Sequence, residues 1–274
     1  MALNSVHTNV AALVALQGLN RTNDQLQAVQ TKVSTGLRVS SAKDDSASFA
    51  IAQGLRGNVR GYEAIQEQLS KAKGTMSVAI TAATKVSDTL NDIRAVMTKL
   101  ADDNVTGAQR TQYEGDYANL KAEVTRFISG ATFNGTNILN TGTSVNVISN
   151  LTGGTLALRA SNLSTSVVAN LTAVSNAADA KTMLTAAGGL GLAEAAIGAA
   201  MAQYGADSKS LDNQSTYVSV LADATEEGVG SIVDADLAKE SAKLQALQVR
   251  QQLGTQTLSI ANQSPQILLS LFQS

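Results

Sequence analysis

A mainly α fold of long antiparallel coiled-coil helices with a small β-hairpin region follows from three features of these 274 residues. Hydrophobic residues make up 44% of the chain but aromatics only 3%, so the apolar content is Ala, Leu, Val and Ile. That composition favours long helices over a β-sandwich or an aromatic-lined ligand pocket. Apolar residues also recur at coiled-coil spacing in several stretches. Finally, residues 1–20 and 251–274 contain no Asp, Glu, Lys or Arg, although 15% of the chain is charged.

The elements follow in order. Ala12, Leu19, Leu26 and Val33 lie seven residues apart and predict an N-terminal helix. "SSAKDDSAS" (40–48) reads as a cap or turn. Its adjacent Asp44 and Asp45 would not face one another on a helix, and no further ligand set accompanies them, so acid/base or metal chemistry has little support. "GLRGNVRG" (54–61) has G-x-x-G spacings but neither a preceding strand nor a GK[ST] ending. Its glycines therefore serve bends or close helix approach, not phosphate binding.

From Ile65 the apolar positions Leu69, Ala72, Met76, Ala79, Ala83, Val86, Leu90, Ile93, Met97 and Leu100 alternate spacings of four and three without a miss. This predicts a coiled-coil seam about 54 Å long at ~1.5 Å per residue. "ADDNVTG" (101–107) reads as a loop, and Tyr113, Tyr117, Leu120, Val124 and Phe127 mark a second helix. Between 133 and 160, turn signals at Asn134-Gly135, Thr141-Gly142 and Gly153-Gly154 flank short β-prone runs and predict a hairpin or small sheet. Residues 161–191, rich in Ser, Thr, Asn, Ala and Gly, predict exposed loops with a short helix near 177–187. Ile197, Tyr204, Leu211, Val218 and Ile232 keep a seven-residue period with only Thr225 out of place. These three long helices are expected to pack side by side. Ala246, Leu253, Ile260 and Ile267 repeat the period in a last helix, expected to turn this seam to the N-terminal helix and to neighbouring copies and to bend at Pro265.

Several function classes fall away. Without cysteine the chain holds no disulfide, thiolate metal site or thiol nucleophile. His7 is the one histidine, which removes HExxH zinc sites, His-dependent triads and His pairs, so neither an enzyme nor a cofactor is expected. A net charge of -2 with no basic block gives nucleic acid no electrostatic footing. The first 20 residues lack Lys and Arg and are interrupted by Asn, Ser, Thr and Gln, so they predict neither a secretory signal nor membrane insertion.

"STGLRVSSAKDDSASFAIAQGLRGNVRG" (34–61) closely resembles the N-terminal signature of bacterial flagellins, and "IVDADLAKESAKLQALQVRQQLGTQTLSIANQSPQILLSLF" (232–272) their C-terminal signature. "ATFNGTNIL" (131–139) is similar to the segment where flagellin helices give way to a β-hairpin. The likeness implies an elongated flagellin-type subunit of the short alphaproteobacterial kind, without large outer domains. Residues 1–36 and 234–274 would form an inner helical pair, and 37–233 an outer helical bundle with the hairpin at about 131–160. The inner-tube contacts would come from Val6, Val10, Leu13, Leu19, Leu26, Val33, Ala246, Leu253, Ile260, Ile267, Leu268, Leu271 and Phe272. Arg38, Lys43, Asp44 and Asp45 would lie in the spoke joining inner and outer parts. In flagellins recognised by the vertebrate innate receptor a basic residue stands where this chain has Asp92, while Arg94 and Glu123 match the pattern, so receptor activation is expected to be weak. O-glycosylation, common on flagellin outer loops, would find candidates in Thr143, Thr155, Ser164, Thr165 and Ser166.

The resemblance thus implies a secreted structural protein that polymerises into the extracellular flagellar filament for swimming. Its expected partners are other flagellin copies, the type III flagellar export apparatus, a secretion chaperone, and the cap and hook-junction proteins. Energetics agree with a need for neighbours. Ordering two uncharged ends of this length costs on the order of 50 kcal/mol in backbone entropy, against about 1.5–3 kcal/mol returned by each fully buried Leu or Ile. A hook-filament junction protein shares both terminal patterns. A secreted membrane-active translocator would also carry uncharged amphipathic ends, but the lack of Lys, Arg and Trp near them disfavours it.

Overall fold

The computed structural model describes residues 9–272, with side chains through residue 263. The elements are α1 (Val10–Thr35), α2 (Ser46–Leu100), α3 (Gly107–Gly130), β1 (Val145–Ile148), β2 (Thr155–Leu158), α4 (Leu163–Ser166), a 3-10 turn (Val168–Asn170), α5 (Ala177–Leu184), α6 (Gly189–Val233) and α7 (Leu237–Phe272). They make two compact units, one of Met1–Gly57 with Ala224–Ser274, the other Asn58–Asp223. The divisions fall inside α2 and α6 rather than at their ends.

The second unit is organised by the α2 seam. Every position from Ile65 to Leu100 in the four-three alternation is buried, as a coiled-coil stripe requires. The same core takes Tyr117, Val124 and Ile128 from α3, and Ile197, Tyr204, Leu211 and Val218 from α6. On α3 the buried stripe is Tyr117, Val124 and Ile128, and the other expected positions, Tyr113, Leu120 and Phe127, are half-buried at its margins. α2 and α6 run antiparallel, pinned by Gln66 Nε2 donating to Ser215 Oγ at 2.7 Å and by a Lys73–Asp212 ion pair at 3.0 Å. Arg110 closes the turn between α2 and α3 by donating to the carbonyls of Leu100 and Val105, at 3.0 and 2.9 Å. One of those carbonyls is an orphan at the α2 C-terminus.

The two strands pair antiparallel, Val145 opposite Leu158 and Ile148 opposite Thr155. The Asn150 side chain shapes their connection, its Oδ1 accepting from the Thr152 and Gly154 amides at 3.1 and 2.6 Å. Asn134 and Gly135 both adopt left-handed backbone, with φ of 46° and 77°. They form a tight two-residue turn in which Phe133 and Thr136 exchange both backbone bonds at 2.9 Å. That turn lays the Phe133 ring on α2 at Gly74, where a Cβ would fall 2.7 Å from ring carbon Cζ.

The short helix expected near 177–187 is α5, but otherwise residues 161–191 differ from the exposed loops predicted. Leu163, Val167, Leu171, Val174, Ala180, Met183 and Leu190 are all buried in the core of this unit. The stretch is tied to α3 by the Tyr117 hydroxyl, which donates to the Thr172 carbonyl at 2.6 Å, and by Lys121 donating to the Leu171 carbonyl. Its polar residues act locally as helix caps: Asn162 and Asn176 accept from the amides of Thr165 and Asp179. A composition that reads as loop is therefore compatible with a packed strip.

In the first unit, Gly36 ends α1 in left-handed conformation (φ 73°), donating its N–H to the Lys32 carbonyl at 2.9 Å. A small core of Val39, Ala52, Val229 and Val233 follows, with Phe49, Leu55 and Ile232 against it. The seven-residue period of α6 ends at Val218. The next buried apolar positions, Val229 and Val233, are eleven residues and more beyond, which explains why Thr225 breaks the heptad.

Candidate functional site

α1 and α7 pack antiparallel as a helix pair. On α1 the inward positions Ala12, Ala15, Leu19, Thr22, Leu26, Val29 and Val33 alternate three and four, with Val29 3% exposed. The matching face of α7 is Leu244, Leu247, Gln251, Gly254, Leu258 and Ala261. Two hydrogen bonds fix the register: Asn9 Nδ2 to the Ala261 carbonyl at 2.7 Å, and Gln251 Nε2 to Asn23 Oδ1 at 2.8 Å. At Gly254 the helices come close, since a Cβ there would lie 3.2 Å from Leu19 Cδ1.

This corrects the part of the expectation that turned the α7 seam to α1. Ala246, Leu253 and Ile260 do repeat every seven residues, but they form the outer face. Leu253 is 56% and Ile260 69% exposed, with Val249 beside them at 54%. On α1, Val10, Leu13, Val14 and Leu16 are exposed as well. The reason is steric and polar. Gly254 permits close approach to Leu19, Gln251 finds Asn23 and Leu247 is buried, so this side of α7 makes the better partner for α1. Of the predicted contact residues, Leu19, Leu26 and Val33 fall in the intrachain seam, whereas Val10, Leu13, Leu253 and Ile260 are outward. Val6 lies outside the described residues. α7 continues through Pro265 to Phe272, and the side chains of Ile267, Leu268, Leu271 and Phe272 lie outside the described ones. Val14, Leu16 and Val249, missed by the seven-residue pattern, would have been found by asking which apolar residues flank it.

The junction beyond α1 is built from backbone. Leu37 and Asp234 pair as an isolated bridge, the Arg38 and Val39 amides donate to the Val233 carbonyl at 2.7 and 3.2 Å, and Ala235 donates back to Gly36. The Arg38 guanidinium donates to the Ile232 carbonyl. Asp44 Oδ2 gathers the amides and hydroxyls of Ser40 and Ser41, at 2.9–3.1 Å. Asp45 caps α2, accepting from the Ala47 and Ser48 amides and, at 2.6 Å, from the Ser48 hydroxyl. Hydrogen bonds from Ser40, side chain and then backbone, hold the Asp44 carboxyl below its ordinary value, and Ser48 does the same for Asp45. The Lys43 side chain is exposed and has no carboxylate partner among the described residues. All four predicted junction residues are thus brought into one segment, with two of them as turn-forming carboxylates.

Elsewhere, Asp92 is exposed, Arg94 forms a two-point ion pair with Glu194 (Nε to Oε1 2.9 Å), and Glu123 is half-buried. Thr143, Thr155 and Thr165 are exposed. Ser164 and Ser166 are half-buried, and the Ser166 hydroxyl is engaged with the Asn162 carbonyl at 2.9 Å. No group of three His, Cys, Asp or Glu gathers as metal ligands among the described residues. An ion pair that sequence reasoning did not find fastens the hairpin: Asp207, with 8% side-chain exposure, accepts from the Arg159 amide at 3.0 Å and from its Nη2 at 2.6 Å.

Comparison with known proteins falls on the same segments. A family model for the bacterial flagellin N-terminal helical region matches residues 6–144, and one for the bacterial flagellin C-terminal helical region matches 187–272. The chain is 39% identical to flagellin FljM of Caulobacter vibrioides over 280 residues, covering 100% of both. It is 35% identical to a flagellin of Brucella melitensis, covering 98% of this chain and 99% of that one. Among solved structures, Bacillus cereus flagellin aligns with a TM-score of 0.51 at 22% identity, over 56% of this chain and 88% of that one. A putative flagellar hook-associated protein from Vibrio parahaemolyticus aligns with a TM-score of 0.56 at 16% identity, over 70% and 100%; at such identities the likeness is one of fold.

Proposed function

The chain belongs to the bacterial flagellin family, structural subunits of the flagellar filament that polymerise with other flagellin copies, and we propose that the outer face of its α1/α7 pair is where those copies meet. The observation that carries this reading is that α7 turns Val249, Leu253 and Ile260 away from α1 and leaves them exposed. Exposed Leu and Ile on a rigid helix, without a charge from residue 251 onward, make a surface that neighbours of the same kind can cover without stranding an ion. Residues 1–36 and 234–274 then act as the inner pair and 37–233 as the outer bundle. Arg38, Asp44 and Asp45 stiffen the passage between them, with Lys43 exposed for a contact between copies, so that torque passes through helices and a backbone-bonded turn.

Family membership places the protein in the extracellular filament, and flagellins being structural proteins points away from catalysis. In this reading export runs through the flagellar type III apparatus, a chaperone covers the C-terminal helix beforehand, growth occurs beneath a cap protein, and the filament begins on hook-junction proteins. Thr143, Thr155 and Thr165, the exposed members of the candidate set, are the first places for O-glycosylation, and the intact mass of filament protein checks it. Asp92, exposed on α2, opposes a receptor surface built for a basic residue, so purified monomer activates the innate receptor weakly. Electron cryomicroscopy of material polymerised from the pure chain tests the whole. Filaments whose inner contacts bury Leu253 and Ile260 support it, and filaments that leave both in solvent overturn it.

A further inference from the structure

One surface of the first unit is not explained by apolar burial. A groove of about 460 Å³ runs between α1 and α7, lined by Ala28, Val29 and Leu247 and edged by Lys32, Lys243 and Arg250. No carboxylate lines it, and none of these three cations makes an ion pair among the described residues. Asp24 and Glu240, the acids of these two helices, stand outside the lining. Three like charges around one concave surface repel one another and raise the local potential for an incoming anion.

The complementary imbalance lies on the same unit. Glu226 and Glu227 are adjacent, both exposed, and neither has a cation partner among the described residues. Between Lys209 and Lys239 the chain has no basic residue at all. These two carboxylates ride on the last turns of α6, held in place by Val229 and Val233 in the core with Val39 and Ala52. They are not part of the groove in their own chain. A polymer of identical copies can satisfy both surfaces at once.

We propose that the cation-lined groove between α1 and α7 receives Glu226 and Glu227 of a neighbouring copy. The contact is heterologous, groove to ridge, and repeats without closing, as an open helical polymer requires. It rests on the reading of this chain as a polymerising subunit and adds the element of register: apolar faces alone slide, whereas a charged ridge in a basic groove fixes one relative position.

The test is a charge exchange in the full chain, read as the critical concentration for polymerisation by sedimentation. E226K/E227K and K243E/R250E each set like charges against each other, and each is expected to raise the critical concentration by about tenfold or more, less so in high salt. The chain carrying all four changes restores attraction and is expected to return to within about threefold of the starting protein. E226Q/E227Q, which adds no repulsion and leaves the fold undisturbed, is expected to fall between. Free-chain circular dichroism confirms that each variant folds. Unchanged critical concentrations in E226K/E227K or E226Q/E227Q, or no recovery in the four-fold exchange, overturn the contact. If the unaltered chain itself forms no filaments in that buffer, the filament reading falls and this contact falls with it.

Discussion

Truncating the outer face of α7 separates the two orientations available to that helix. Leu253 and Ile260 are 56% and 69% exposed. Since full burial of such a side chain is worth about 1.5–3 kcal/mol, each leaves roughly 1–2 kcal/mol for a neighbouring copy to realise. Alanine keeps part of that, so Leu253→Ala with Ile260→Ala removes about 2–3 kcal/mol per subunit from the assembled state. At 1.4 kcal/mol per decade this is about a 30- to 150-fold rise in critical concentration. The helicity of the free chain should not fall, because neither side chain packs against α1 and Ala is the better helix former. Gln252→Ala, an exposed polar neighbour, serves as the control and should shift assembly little. The assay is sedimentation of filaments across a concentration series, with circular dichroism of the unassembled chain alongside. A shift below about threefold for the double variant, or an equal shift for Gln252→Ala, would refute burial of this face between copies.

Asp207→Ala deletes a buried acceptor of three Arg159 donors and leaves the Arg159 amide unpaired. Unfolding of the second unit should lose about 2–4 kcal/mol by denaturant titration, with Asp207→Asn milder. The folded carboxyls of Asp44 and Asp45 lie below their ordinary values, so the unfolded chain takes up protons first as pH falls. Their contribution is complete above about pH 4 and disappears as pH falls through the folded values. Hydrogen exchange at the first turn of α2 should therefore accelerate below pH 4, and Asp45→Asn should remove most of that pH dependence. Deleting Pro265–Ser274 should leave the second unit with unchanged thermal unfolding and yield no filaments; filaments of normal length would contradict a role for the end of α7 in assembly.

The α2 seam was legible because it is long, strictly alternating and faces one core, so any residue out of register would have been visible. Hairpin and loop positions were legible for a different reason. Asn134-Gly135 and Gly153 supply left-handed backbone that other residues resist, and the structure uses them for turns. The strip 161–191 was legible in its short helix near 177–187, which is α5, but not in the burial of its apolar residues. Its Asn residues signal loops on average, yet here they cap short helices whose apolar residues are too irregularly spaced to show a period. Nor was the Arg159–Asp207 pair, because the partners are 48 positions apart and nothing local distinguishes either from a solvated charge.

The orientation of α7 shows why periodicity alone could not place the assembly surface. A heptad repeat identifies a stripe, but a helix uncharged from residue 251 onward carries two stripes, and the repeat does not say which one the same chain will use. Following the seven-residue repeat alone places Leu253 and Ile260 against α1. The structure instead puts Leu244, Leu247, Gln251, Gly254 and Leu258 there, where a side-chain hydrogen bond and a missing Cβ add a close fit to the apolar contact. For a subunit that polymerises this division is the favourable one. Pairing within the chain presents the helices, while the burial of Val249, Leu253 and Ile260 is deferred to contacts between copies. Exchanging the two faces, for example Gln251→Leu with Leu253→Gln, should therefore strengthen the α1/α7 pair in the free chain and weaken the filament. Hydrogen exchange of α7 in the free chain and the critical concentration should move in opposite senses; movement in the same sense would show that one face serves both contacts.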